Sequence, residues 1–98
     1  MILHLIQTSA TQDNALSTCL SLVRATDSIL LMGDGVNCLL SPAWQAQLQV
    51  CKLFALADDV TARGLTALIP VGVLPQLTLI NYDEFVAQTL SYQKVITW

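Results

Sequence analysis

Ninety-eight residues, 54% apolar and only 11% charged, are enough chain for one core and not two, so residues 1–98 are read as a single domain. The formal charge is −3, and Arg24, Lys52, Arg63 and Lys94 are scattered, which excludes a basic cluster able to displace counterions from a nucleic-acid backbone. No apolar run reaches the roughly 18–20 residues of a transmembrane helix, and the start MILHLIQTSATQD lacks a signal peptide's basic residues, so the expectation is a cytoplasmic protein with no membrane contact. Ile2 to Gln7 reads as a first strand, apolar on both faces apart from His4, as a strand covered on both sides should be. Thr11 to Asn14 supplies capping groups for a helix to about Ala25, with Leu16, Cys19, Leu20 and Val23 on one stripe. Ser28 to Met32 is a short continuous apolar run and reads as a buried central strand. Gly33-Asp34-Gly35 is a turn, Val36 to Leu40 a short helix stopped near Pro42, and Trp44 to Leu48 a second helical piece.

Val50 to Leu56 is the third long strand. It stops at two aspartates, either of which suits a helix N-cap, and the Gly64 of an Arg-Gly pair suits the left-handed residue past a helix end. Pro70, Gly72 and Pro75 make Leu65 to Gln76 irregular. Leu77 to Ile80 is a fourth strand. Asn81 and Glu84 form a capping box for a helix to about Tyr92, with Tyr82, Phe85, Val86, Thr89 and Leu90 near one face. Lys94 to Trp98 is the last strand. Alternating strands and helices predict a small three-layer α/β domain, broadly flavodoxin-like, with a mostly parallel sheet of about five strands. Soluble proteins average about 25% charged residues, so the low charge here points to an apolar face buried against another chain.

The chemistry on offer is sparse. Cys19, Cys38 and Cys51 form no C-x-x-C pair, so neither a disulfide framework, a zinc site nor a thioredoxin motif is indicated. Cys19 lies mid-helix on the apolar stripe, and on physics alone a structural role fits it best. Cys51, inside a strand, reads as core, whereas Cys38 follows a turn and is expected to be partly exposed. His4, the only histidine, reads as a packed residue with one hydrogen bond more readily than as a base. Gly33-Asp34-Gly35 sits where open α/β sheets bind ligands, but no phosphate-binding motif or basic residue accompanies it. Asp58, Asp59, Asp83 and Glu84 sit at helix starts, where negative charge is stabilising in its own right. Trp98 and Trp44 can each plug a core or anchor an interface.

Four segments together resemble the TusB/DsrH family of sulfur-relay proteins: LFALADDVTARGL at 53–65, Leu3-His4, Asp34-Gly35-Val36, and the tail from Asn81 to Trp98. The resemblance implies a DsrE-like fold and a subunit, accessory or non-catalytic, of a complex that passes persulfide sulfur toward the 2-thiouridine at the transfer-RNA wobble position. The DsrH branch implies the equivalent role in sulfur oxidation. The implied partners are homologous TusC/TusD-like or DsrF/DsrE-like subunits in a heterohexamer between a TusA-like donor and a TusE-like acceptor, with no cofactor, no metal and no direct nucleic acid. NALSTCL matches the context in which some members carry a first-helix cysteine, which makes Cys19 a candidate persulfide carrier. The Leu-His and Arg-Gly contexts match too, which adds His4 and Arg63 to Trp98 as candidate interface residues. The competing readings are an independent small-ligand or nucleotide-binding module on a flavodoxin-like scaffold, and a homo-oligomer without sulfur chemistry.

Overall fold

The apolar runs and the helical stripes order themselves into an alternating β/α chain. The computed structural model describes residues 1–69 and 74–98. Its elements are β1 (Ile2–Ile6), α1 (Ala15–Leu22), β2 (Ser28–Leu31), a 3₁₀ helix (Gly33–Leu40), α2 (Pro42–Gln47), a 3₁₀ turn (Leu48–Val50), β3 (Lys52–Leu56), α3 (Ala57–Ala62), β4 (Leu77–Ile80), α4 (Tyr82–Ser91) and β5 (Lys94–Thr97). All four strand pairings are parallel, in the order β4-β3-β2-β1-β5. The expected five-stranded α/β fold holds. Within that class β1 lies between β2 and β5, whereas the flavodoxin order 2-1-3-4-5 places it between the second and third strands.

One hand of crossover explains the layers. The steps β1→β2→β3→β4 all move the same way across the sheet, so right-handed connections put their helices on one face. The step from β4 back to β5 runs the other way and puts α4 on the opposite face. Two cores result. One joins Ile6, Ile29, Leu31 and Leu53 of the sheet to Leu16 and Cys19 of α1, Val36 and Leu39, Leu48, and Val60 of α3. The other joins Leu3, Leu5, Leu30, Phe54 and Ile80 to Phe85 of α4 and to Tyr92, which follows it.

Local chemistry sets the ends. Asn81 Oδ1 accepts the Glu84 N–H at 2.8 Å and Glu84 Oε1 accepts the Asn81 N–H at 3.0 Å, completing the expected capping box. Gly64 follows α3 at φ +66°, the left-handed position foreseen for it. Three local expectations are corrected. Asp58 and Asp59 do not cap α3, because β3 runs straight into the helix and Leu56 takes the cap position. Val50 belongs to the 3₁₀ turn before β3. The turn at 33–35 and the helix at 36–40 are one continuous 3₁₀ helix. It lies tight against β1: a Cβ on Gly35 would sit 2.4 Å from the Ile6 carbonyl oxygen. Of the irregular segment, Pro70 and Gly72 lie outside the described residues.

Candidate functional site

Two polar clusters are built on the sheet. At the carboxyl ends of β1 and β2, a cavity of about 440 Å³ is lined by Gln7, Met32, Gly33, Asp34, Asp59 and Arg63. The start of α3 supplies its acid: Asp59 Oδ2 accepts the Gly33 N–H at 2.8 Å. Arg63, one turn on, donates from Nη2 to Asp34 Oδ1 at 2.8 Å and from Nη1 to the Asp59 carbonyl oxygen at 3.3 Å. Two motifs far apart in sequence, Asp34-Gly35 and Arg63-Gly64, thus meet. The guanidinium is engaged by two acids in partly solvated surroundings, where such pairs contribute up to about 1 kcal/mol. The cavity stands at the usual ligand position of an open α/β sheet, but its lining holds no thiol or histidine to act as a nucleophile or base.

The second cluster is buried and joins His4, midway along β1, to Asp27, directly before β2, and Trp98, directly after β5. His4 is 2% exposed and Asp27 4%. Trp98 Nε1–H donates to His4 Nδ1 at 3.1 Å, and the two rings stack with centroids 6.0 Å apart. An indole N–H only donates, so Nδ1 must be the acceptor and the imidazole proton sits on Nε2. Nε2 faces Asp27 Oδ2 at 3.3 Å. Asp27 also accepts the backbone N–H groups of Ile2 (3.0 Å) and Arg24 (3.1 Å). Burial pushes its pKa up, but these hydrogen bonds together with His4 outweigh burial and hold it below the ordinary value. His4 therefore reaches the surface through Trp98, which packs half-buried on the α1-side core.

All three cysteines are free and buried. Cys19 lies fully inside α1's packed face. Its thiol is pushed up to about 12, first by burial, then by the charges of Cys51 and Asp27. Burial likewise pushes Cys51 up to about 11, with Asp27 adding to it, and Cys38 up to about 12. Cys38 was expected to be partly exposed. The 3₁₀ helix turns it inward instead, and its Sγ donates to the Gly35 carbonyl oxygen at 3.2 Å. It lies at the floor of a cavity of about 290 Å³ shared with Ser9, Thr11, Asn37, Ser41 and Trp44. Trp44 also packs on the core. In this packing none of the thiols presents a thiolate.

The sequence reading missed Asp27 and the Asp59–Gly33 bond. An acid directly before an apolar run, Thr26-Asp27-Ser28-Ile29, was the available signal. A third feature is a surface. No residue of α4 is buried, and the expected stripe is split: Phe85 packs on the second core, whereas Tyr82 is 63% and Leu90 82% exposed, with Val86 between them.

The family described as "DsrH like protein" matches residues 8–95. The chain is 40% identical over 86 residues to Protein TusB of Yersinia pestis (strain Pestoides F) and of Yersinia pseudotuberculosis serotype O:1b (strain IP 31758), covering 85% of this chain and 86% of each relative. Among solved structures, the E. coli ychN protein superposes with a TM-score of 0.83 at 19% identity, over 99% of this chain and 97% of that one. Protein Tm0979 of Thermotoga maritima gives 0.63 at 24% identity, over 95% of each chain. These two likenesses concern the fold.

Proposed function

The chain belongs to the DsrH-like family that includes the TusB proteins, and from that premise we propose that it is a sulfur-relay subunit acting in transfer-RNA thiolation. The family implies a complex with other Tus or Dsr subunits. In the finer reading, the partners are two homologous small subunits, TusC- and TusD-like, in a cytoplasmic heterohexamer that passes persulfide sulfur toward the wobble 2-thiouridine. The observation that carries this is the 40% identity to TusB along 85% of the chain. The geometry agrees with an assembly role: the strand-end cavity has no nucleophile in its lining, the thiols are buried and protonated, and α4 leaves Tyr82, Val86 and Leu90 exposed. Among the described residues no helix is long and apolar enough to cross a membrane.

Mass spectrometry of what co-purifies from the native host tests it. Two homologous small chains in near-equal amount are expected, and loss of this chain should deplete 2-thiouridine in transfer RNA. Recovery of the chain alone, with thiolation intact without it, overturns the reading. Arg63 and Trp98 are the interface residues to test within the complex, and His4 acts there through Trp98. Cys19 is the sulfur carrier to test. Its thiolate would attack the outer sulfur of a donor persulfide and release the donor thiolate, and α1 must open for that. Persulfide on Cys19 after incubation with a loaded donor supports the role, and a Cys19→Ala chain that sustains full thiolation removes it.

A further inference from the structure

His4 holds two neighbours by two different nitrogens, and only one of those bonds survives protonation. Nε2–H points at Asp27, 3.3 Å away. Nδ1 accepts the Trp98 indole N–H at 3.1 Å. A second proton on the ring can go only to Nδ1, where it meets another donor. The Asp27 bond is then strengthened by charge, while the indole loses its acceptor. The Trp98 side chain is partly covered, packed on the α1-side core and stacked on His4, where the chain leaves β5 at the edge of the sheet. The buried His4 ring stays where Leu3 and Leu5 fix β1 between β2 and β5.

We propose that His4 and Trp98 form a proton-operated clasp: neutral His4 holds the indole against the sheet, and protonated His4 keeps Asp27 and lets the indole go. The surrounding charges are few. Asp27, between α1 and β2, is the carboxylate facing the ring, and the buried Cys19 and Cys51 thiols share its surroundings. From β5, exposed Lys94 precedes by two residues the Ile96 that pairs with His4. The amino group of Met1 is engaged by Gln93 Oε1 at 3.3 Å. From β3, exposed Lys52 lies over the Phe54 ring, with its ammonium 5.1 Å from the centroid. The carboxylate therefore stands on the Nε2 side of the ring and the indole on the Nδ1 side. The released form exposes a tryptophan at a sheet edge, a side chain enriched at binding hot spots. The clasp thus ties the surface on offer to pH, and it stands on geometry independent of the sulfur-relay reading.

The test is ¹⁹F NMR of the full chain labelled with 5-fluorotryptophan, together with whatever chains co-purify with it. Trp98→Phe identifies the Trp98 resonance and leaves that of Trp44. Between about pH 8 and pH 5, the range in which imidazoles take up protons, the Trp98 resonance should move along a one-proton curve toward its solvent-exposed position. Its H₂O/D₂O isotope shift should rise with it, and Trp44 should stay put. His4→Gln keeps an acceptor and a donor and cannot titrate, so its Trp98 resonance should be flat. A wild-type Trp98 resonance that is flat, or one that moves equally in His4→Gln, overturns the clasp. Should His4→Gln fail to fold, ¹H–¹⁵N spectra of the wild-type imidazole decide: His4 and Trp98 must share one midpoint, and different midpoints sink the proposal.

Discussion

On one face of the sheet α1, α2, α3 and two 3₁₀ segments press a continuous core onto the strands; on the other face α4 works alone and buries none of its own residues completely. Both faces are drawn from the same apolar-rich sequence. The difference is topological, because three crossovers step one way and one steps back. The crowded face holds the larger core and all three thiols, while the sparse face keeps large side chains in water. An apolar stripe is thus not evidence of a core until the neighbour that would cover it is known.

Experiments that perturb one face and leave the other alone sharpen the contrast. The largest effect should come from alkali. The three thiols are raised to about 11–12 by burial and are ordinary, near 8.5, in the unfolded chain. Their contribution is complete below the unfolded value and is lost as pH rises toward the folded ones. Urea unfolding at about pH 10 should therefore show a loss of several kcal/mol relative to neutral pH, and an unchanged midpoint would contradict thiols sealed in the crowded face. Leu48→Ala, at a fully buried position there, should cost about 2–5 kcal/mol in the same assay. Gly35→Ala forces a carbon against the Ile6 carbonyl, and about 1–3 kcal/mol is expected from thermal or urea denaturation.

On the sparse face the numbers shrink. Asn81→Ala removes half of the capping box of α4 and should cost about 0.5–2 kcal/mol by circular dichroism melting. Leu90→Ser should change the stability of the chain by no more than about 0.5 kcal/mol. It should instead reduce recovery of co-purifying chains in a pull-down. A large loss of stability with undiminished recovery would make α4 part of the core and erase the contrast.

Much of this fold was legible because β1, β2 and β3 are apolar on both faces and carry turn residues between them. The capping box at Asn81 and the glycine after α3 were readable because their chemistry is local. On α4 the spacing grouped Tyr82, Phe85, Val86, Thr89 and Leu90 near one face, yet only Phe85 of the large ones packs on the sheet and Tyr82, Val86 and Leu90 stay exposed, since spacing alone does not say what lies against a helix. The His4–Asp27–Trp98 cluster was half legible. His4 and Trp98 stood out as types, but their meeting depends on β5 returning to the side of β1, 94 residues away in sequence. Asp27 drew no notice because its partners are backbone amides from residues 2 and 24. Cys38 was misread because a turn was expected where the chain makes a continuous 3₁₀ helix.

The neighbour relation of β1 and β5 also sets a timetable for biosynthesis. β1 is made first, and β2 can pair with one of its edges within a few dozen residues. The other edge waits for β5, whose backbone closes it as far as the bond from Trp98 N–H to the Leu5 carbonyl oxygen. At ordinary translation speeds of about 5–20 residues per second, the nascent chain carries an unpaired apolar strand edge for several seconds. Such an edge is a template for wrong pairing. The arrangement that completes the sheet therefore leaves the growing chain open to mispairing during those seconds.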